Sequence, residues 1–212
     1  MVDELIRKNR SFRRFHEEMQ VETETLMELV NLARLSASAG NMQPLKYILV
    51  NEPPQTSDVF SHLRWAAYLK DWPGPREGQR PPAYIVILGD TRISRNFHCD
   101  HGIAAQSILL GAVDRGLGGC ILGSIDRDGL REDLSIGKQY EILLVLALGH
   151  PLEMVVLSEA EGNIRYWRDE KGVHHVPKRP LKELILNWED QTRRSFYRRR
   201  EESMSPARPL AY

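Results

Sequence analysis

The first residues that could do chemistry are a cluster of arginines near the N-terminus, where residues 9–15 read NRSFRRF. Arginine presents a planar guanidinium that holds a phosphate through two parallel hydrogen bonds. A serine hydroxyl and neighbouring backbone N–H groups would complete an anion site. Arg10, Ser11 and Arg13 are therefore candidate anion ligands, provided that a turn brings them together. The alternative is a solvated basic segment, as most runs of charge are.

A second candidate lies between a helix and a strand, where residues 36–47 read SASAGNMQPLKY. Small residues let the backbone approach a flat ligand closely. The amides of Asn41 and Gln43 offer both a donor and an acceptor to the edge of a heterocycle, and Ser38 adds a hydroxyl. The alternative is an ordinary helix end, which Gly40 and Asn41 would close by themselves.

A third stretch is rich in glycine, with residues 116–126 reading GLGGCILGSID. A dinucleotide-binding loop follows a strand and opens a helix, whereas this stretch follows a helix. The pattern therefore excludes a Rossmann site. Its glycines still allow backbone N–H groups to come close to a ligand.

The sequence predicts neither a metal site nor a nucleophile. His98 and His101 are three residues apart and would share a helix face, but zinc ligands normally come from two separated pairs. The histidines at 150, 174 and 175 are scattered and form no second pair. The chain contains no G-x-S-x-G elbow and no P-loop.

Two basic stretches lie near the C-terminus. Lys178 and Arg179 stand just before a predicted helix, which makes them candidate anion contacts. Residues 193–200 mix arginines with aromatic side chains, as nucleic-acid binders do. Two glutamates follow at once, and the chain balances 29 basic against 29 acidic side chains. We therefore expect a solvated arm, with no nucleic-acid or membrane partner.

Composition indicates one globular domain with an appendage. The chain has 212 residues and two cysteines, which is too few for a disulfide framework. The charged N-terminus has no apolar signal-peptide core, and the apolar runs are too short to span a bilayer. These features predict a cytoplasmic protein.

Helices and a few widely spaced apolar strands alternate along the chain, which predicts an α+β or α/β layered fold. The predicted helices cover residues 23–37, 55–68 and 97–115, the first with a capping box at Thr25 and Glu28. The predicted strands include residues 46–50, 83–89 and the run YEILLVLALG. We expect one domain over residues 1–187 and an extended arm over 188–212.

These motifs, in this order, resemble the FMN-dependent nitroreductase family. The segment NRSFR resembles the Arg-rich opening of that family, and ASAGNMQP resembles its Pro-Ser-x-x-Asn-x-Gln-Pro turn. A central helix then runs into CILGSID, and LLVLALGHP and KRPLKEL close the domain. The resemblance extends over residues 6–186.

The resemblance implies a three-layer α/β/α fold with a central, mostly antiparallel mixed sheet, in an intertwined homodimer that holds FMN at the subunit interface. Arg10, Ser11 and Arg13 would hold the phosphate, together with Lys178 or Arg179. The turn containing Ser38, Asn41 and Gln43 would touch the flavin from the partner subunit. The residues expected against the isoalloxazine near N5 are Leu122, Gly123 and Ser124.

The activity implied is a ping-pong hydride transfer through flavin N5, from NADPH or NADH to a nitroaromatic, quinone or related acceptor. No side chain need act as an acid or base, so no catalytic residue is predicted, and residues 65–75 would cover the acceptor pocket. Asn9, Ala37 and Leu45 depart from the family pattern. Two alternatives remain: another flavin chemistry, such as reductive dehalogenation or flavin breakdown, and a non-enzymatic protein that binds nucleic acid or another anion.

Overall fold

The computed structural model describes residues 1–69, 71–189 and 191. The chain divides into two compact units. The first comprises Met1–Val156 and Trp167–His175, and the second comprises Leu157–Tyr166 and the residues described from Val176 onward. The first unit contains nearly all of the regular structure.

The regular structure of the described residues consists of α-helices, β-strands and one short 3-10 turn at Ala39–Asn41. The helices are α1 (Val2–Lys8), α2 (Thr23–Arg34), α3 (Gln55–Ser61), α4 (Asp100–Asp114), α5 (Arg127–Asp133) and α6 (Leu181–Leu184). The strands are β1 (Leu45–Val50), β2 (Ala83–Asp90), β3 (Gly118–Leu122), β4 (Tyr140–Gly149), β5 (Val155–Glu159), β6 (Trp167–Arg168) and β7 (His174–Lys178).

The central sheet has the strand order β1-β2-β4-β3, and its ladders are antiparallel. In the middle of the sheet, Val86 of β2 lies opposite Ile48 of β1 and Val145 of β4. β3 is an edge strand, and its outer side carries a parallel bridge from Ser11 to Gly119. The sheet is thus mixed but mostly antiparallel, as predicted.

Helices cover both faces of this sheet. All eight residues of β2 are buried, as a continuous apolar run of strand length indicates. Because side chains alternate along a strand, Tyr84, Val86 and Leu88 enter one core while Ile85 and Ile87 enter the other. The first core contains residues of α3 and α5, and the second contains residues of α2 and α4. The predicted three-layer α/β/α architecture is confirmed.

Three sequence predictions on helices need correction. α2 begins at Thr23 after the N-cap Glu22, so the predicted capping box at Thr25 and Glu28 is wrong. Glu28 instead forms an ion pair with Arg115, at 3.0 Å from its Nη2. α3 ends at Ser61 instead of residue 68, because Leu63 leaves the helix to form a bridge with Ile125.

The third correction concerns α4, whose sequence is apolar almost all round and predicts a helix buried on every side. Ala105, Ile108 and Ala112 are fully buried. On another face, Gly102, Ile103 and Gln106 are exposed in the single chain. The helix starts at Asp100 instead of residue 97, since His98 has a φ of 44°, which is incompatible with a continuous right-handed helix.

In the second unit, the described residues form the C-terminal parts of β5 and β7 and the short helix α6. The backbone N–H of Ala160 donates to the carbonyl of Lys178 at 2.8 Å. Pro180 is the N-cap of α6, which begins just after Lys178 and Arg179, as predicted for a helix at this position. The predicted arm over residues 188–212 lies almost wholly outside the described residues and stays a prediction.

Gly119 of β3 lies close to both β4 and α4. A Cβ at this position would lie 2.5 Å from Leu109 Cδ2 and 2.7 Å from the carbonyl oxygen of Ala147. The second atom belongs to the backbone of β4, so it can move only if the ladder moves. We expect Gly119→Ala to lower the free energy of unfolding by about 2 to 3 kcal/mol, measured by denaturant titration.

A matched control is Gly123→Ala, one residue beyond β3. Among the described residues, its added carbon would meet only Leu144 Cδ2, at 3.8 Å. This variant should unfold within about 0.5 kcal/mol of the parent. Equal stability of the two variants would contradict the packing described for β3.

Candidate functional site

Arg10 lies at the start of the arginine segment, directly after α1 and its C-cap Asn9. Its Nη2 donates to the carbonyl of Ile6 at 2.6 Å. Its Nε is buried and has no hydrogen-bond partner among the described residues. Burial also lowers the pKa of the Arg10 guanidinium. A buried cationic donor without an acceptor costs free energy, so Arg10 is a candidate ligand for an anion.

Ser11 is exposed and fixed to the outer edge of β3. The next residue, Phe12, donates its backbone N–H to the carbonyl of Gly119 at 3.0 Å. Burial raises the pKa of the Cys120 thiol, whereas the Arg13 charge and a hydrogen bond with the Ser11 side chain oppose that rise. Ser11 and Arg10 are therefore held beside a strand whose far end is Leu122.

Arg13 points into the protein instead of toward a surface anion site. It is only 9% exposed, and its Nη1 donates to the carbonyl of Ser11 at 3.2 Å. The same nitrogen lies 3.2 Å from Nε2 of His174. Since arginine can only donate, Nε2 must accept, so His174 is neutral. Burial and then the Arg13 charge lower the pKa of His174 to about 4.

Glu153, which carries no motif in the sequence, holds the backbone of this segment. Its side chain is 0% exposed. Its Oε1 accepts the backbone N–H groups of Arg13 at 2.5 Å and Arg14 at 3.2 Å. Its Oε2 accepts from Arg14 Nε at 3.3 Å and from Arg168 Nη2 at 2.7 Å. We name Glu153, Arg14 and Arg168 the carboxylate cluster.

The carboxylate cluster also contacts the loop that contains Trp72. The guanidinium of Arg168 lies over the ring of Trp72, 4.8 Å from its centroid. Burial lowers the pKa of Arg168, while the nearby Glu153 opposes this. Trp72 belongs to the stretch predicted to cover an acceptor pocket. One guanidinium thus contacts both the carboxylate and the loop.

The turn from Ser36 to Gln43 is hydrogen-bonded to Asp100, the first residue of α4. Asp100 is 4% exposed and accepts from the Ser38 hydroxyl at 2.6 Å and from the Ala39 N–H at 3.0 Å. The Ser38 oxygen in turn accepts the Gln43 N–H at 2.9 Å. Burial and the Asp100 charge raise the pKa of Tyr47 to about 12.

The outer side of this turn is exposed and conformationally strained. Asn41 and Gln43 have φ angles of 53° and 51°, which are uncommon for residues with a side chain. Gln43 Nε2 donates to Asn41 Oδ1 at 3.1 Å. Strain of this kind persists where the surroundings enforce it, and it is concentrated at functional sites. The turn also borders a cavity of about 220 Å³ between α2, β1 and α4.

Leu122, Gly123 and Ser124 lie at the end of β3. Leu122 is buried, whereas Gly123 and Ser124 are exposed. The carbonyl of Gly123 accepts from Arg127 Nη2 at 3.3 Å, and that of Ser124 accepts the Arg64 N–H at 3.0 Å. Two backbone carbonyls of this turn are therefore held by N–H donors, one from Arg127 and one from Arg64.

His62 is a further residue without a motif in the sequence. Its Nδ1 lies 3.3 Å from Asp126 Oδ2 and its Nε2 lies 2.7 Å from Asp133 Oδ2. Burial lowers its pKa, but the bonds to Asp133 and Asp126 outweigh this and raise it overall. His62 thus holds both ends of α5, the helix that begins after Ser124, through Asp126 and Asp133.

The structure brings some of the predicted site residues together and separates others. Ser11 bridges to Gly119 of β3, the strand that ends at the turn of residues 122–124, and Arg10 directly precedes Ser11 in the chain, whereas Arg13 contacts His174. Arg13 is buried and contacts Ser11 and His174, and its role in anion binding stays a prediction. Ser38, Asn41 and Gln43 form a separate turn on α4.

Lys178 and Arg179 belong to the second unit. Arg179 Nη1 lies 3.5 Å from Glu183 Oε2, one helical turn further along the chain. The role of Lys178 and Arg179 in anion binding stays a prediction.

The described part of the chain contains no group of three or more His, Cys, Asp or Glu side chains suited to a metal ion. Within that same part, no helix is long and apolar enough to cross a membrane.

Comparison with known proteins identifies the class. The model of the Nitroreductase family matches residues 6–150, which is more than half of the chain. The chain therefore belongs to the Nitroreductase family. A curated relative from Archaeoglobus fulgidus is 26% identical over 156 residues, covering 70% of this chain and 84% of the relative. It carries the provisional name NADH dehydrogenase/NAD(P)H nitroreductase.

Solved structures show the same fold. A nitroreductase family protein from Streptococcus pneumoniae gives a TM-score of 0.62 at 18% identity, covering 87% of this chain and 98% of the other. An FMN-dependent nitroreductase from Clostridium difficile gives a TM-score of 0.59 at 24% identity, covering 72% and 88%. The family supports an oxidoreductase activity, and these structures establish the fold.

The lowered pKa of His174 allows a test of its buried contact with Arg13. His174 has a pKa near 6.5 when unfolded and about 4 when folded, so the unfolded chain binds more protons between these values. Stability from this residue is complete above pH 6.5 and is lost as the pH falls toward 4. By pH 5 the loss should reach about 2 kcal/mol.

We expect His174→Gln, which keeps an acceptor opposite Arg13, to remove this part of the acid sensitivity. The measurement is the free energy of unfolding of both proteins at pH 7 and pH 5. The raised pKa of His62 contributes with the opposite sign and is common to both proteins, so it cancels in the difference. An equal loss in parent and variant would show that His174 does not titrate as described.

Proposed function

We propose that this protein is an FMN-dependent oxidoreductase that takes its electrons from NADPH or NADH and passes them to a nitroaromatic, quinone or related acceptor. The observation that carries the proposal is the bridge of Ser11 to β3, which places Ser11 and the preceding Arg10 near one end of a strand whose other end leads into the turn of residues 122–124. The family membership and the names of its relatives support the same interpretation.

The residues present fit FMN at both ends. Arg10 offers a buried guanidinium N–H that no described residue accepts, and Ser11 offers an exposed hydroxyl beside it. Ser11 pairs with Gly119, so the turn of residues 122–124 begins about 10 Å further along the strand. That separation suits a mononucleotide whose phosphate lies at Arg10 and whose ring lies at the turn.

Bound FMN would accept a hydride from the nicotinamide and pass electrons to the acceptor. The protein's own contribution is to bind and orient. Arg10 and Ser11 would neutralise the phosphate, and the rigid backbone at Gly123 and Ser124 would set the ring plane. No side chain at this turn is assigned a proton transfer in the proposed cycle.

A second copy of the chain would complete the site. The exposed face of α4 includes Ile103, which is 37% exposed, and Ile121 of β3 is 42% exposed. Covering such apolar surface is favourable. The strained turn at Asn41 and Gln43 would then meet the flavin of the partner. We therefore propose a homodimer, with Lys178 or Arg179 as an additional phosphate contact.

The primary experiment is a visible absorption spectrum of the purified protein, followed by anaerobic addition of NADPH and, separately, NADH. Flavin bands that bleach on addition of either reductant are the expected result. Light scattering of the same sample should give the mass of a dimer. A protein that stays colourless after incubation with FMN would overturn the proposal.

Arg10 is the residue that most directly tests the phosphate contact. We expect Arg10→Ala to weaken FMN binding about 10- to 100-fold, because a charge-assisted hydrogen bond contributes about 1.5 to 3 kcal/mol. The measurement is FMN titration followed by quenching of flavin fluorescence. The matched control is Arg7→Ala on the exposed side of α1, where Arg7 pairs only with Asp3 among the contacts described. Equal losses in the two variants would argue against an anion site at Arg10.

A screen of nitroaromatics and quinones, run with and without air, would identify the acceptor. Turnover of halogenated aromatics alone, or oxygen-dependent loss of the flavin itself, would favour the alternative flavin chemistries.

A further inference from the structure

We propose that Glu153 is a positioning residue for the phosphate-binding segment, and that it confers preference for a phosphorylated flavin. Glu153 lies behind the segment and not at the proposed flavin position. It acts through the backbone of Arg13 and Arg14, the residues that follow Arg10 and Ser11. The inference rests on the proposed function and goes beyond it, because it assigns ligand preference to a buried acidic residue.

The burial of Glu153 carries a large desolvation cost. A fully buried carboxylate loses its hydration, and only close pairing with cations and hydrogen-bond donors offsets that loss. Glu153 has both, since its two oxygens accept four hydrogen bonds from three residues. Such a network fixes its members in one geometry because each partner is needed to satisfy the others.

The network orients the backbone next to Ser11. Two of the four bonds come from consecutive backbone N–H groups, those of Arg13 and Arg14. Their direction sets the course of the chain on the C-terminal side of Ser11. Between them and Ser11, the N–H of Phe12 is fixed to Gly119 at 3.0 Å. The path of the chain at Ser11 therefore depends on two anchors, and Glu153 supplies one of them.

The negative charge of Glu153 is balanced by the two arginines that pair with it. A negative group near an anion site opposes anion binding unless cations balance it. Arg14 and Arg168 pair with Glu153 at 3.3 Å and 2.7 Å, so the carboxylate cluster as a whole is cationic. Glu153 can thus fix the geometry of the segment without making its neighbourhood negative.

The test compares two ligands that differ only in the phosphate, FMN and riboflavin. Glu153→Gln replaces one carboxylate oxygen by an NH₂ group, which must then face N–H donors of Arg13 and Arg14 or of Arg14 and Arg168. We expect the dissociation constant for FMN to rise about tenfold, equivalent to about 1.4 kcal/mol. The constant for riboflavin should stay within a factor of about two, since riboflavin lacks the group that the segment binds.

The control is Glu141→Gln, the same change at an exposed position on β4. It should leave both constants unchanged. A second variant, Arg168→Lys, keeps the positive charge but loses the guanidinium that spans Glu153 and Trp72. It should reduce the FMN preference in the same direction, and it decides the question if Glu153→Gln fails to fold.

Each other outcome overturns the inference in a recognisable way. Parallel losses of FMN and riboflavin affinity in both variants would show a merely structural role. Tighter FMN binding in Glu153→Gln would mean that charge outweighs geometry. A parent protein that prefers FMN, with variants that keep that preference, overturns the inference alone. A parent protein that binds neither flavin overturns the proposed function and the inference with it.

Discussion

The burial of one carboxylate, that of Glu153, constrains the whole N-terminal edge of the first unit. Removing a single partner from a buried ion pair typically costs about 3 to 5 kcal/mol, so the arginines around it cannot separate freely. Residues 13–14, the strand β6 and the loop at Trp72 are joined through this one group. The position of Arg10 and Ser11 follows from that constraint together with the attachment of Ser11 to β3.

The sheet supplies the second constraint. β2 lies between β1 and β4 and is buried throughout, so its side chains fill two cores at once. This rigid centre extends through β4 to β3, the strand that carries both Ser11 and the turn of residues 122–124. Two parts of the proposed ligand site are thus attached to the same strand, whereas the turn of residues 36–43 is attached to Asp100 of α4.

Much of the fold is predictable from the sequence because its signals are local. The apolar runs of β2 and β4 and the order of helices and strands depend on a few neighbouring residues. Helix ends are less predictable, since Leu63 leaves α3 for a partner 62 positions away at Ile125.

Some residues of the candidate site can be predicted from their neighbours in the sequence, whereas others depend on partners far along the chain. The spacing of Arg10 and Ser11 is enough to single them out. The inward direction of Arg13 is not visible in the sequence, because His174 lies 161 residues further along the chain. Glu153 gives no signal either, as its partners Arg13 and Arg14 are about 140 positions away.

The contact between Arg168 and Trp72 affects the fluorescence of this tryptophan. An indole under a guanidinium emits in an environment that depends on the position of the charge. Because Arg168 is also bonded to Glu153, any rearrangement of the arginine segment alters the surroundings of Trp72. Trp72 is one of four tryptophans in the chain, and its emission is linked to the arginine segment through Arg168 and Glu153.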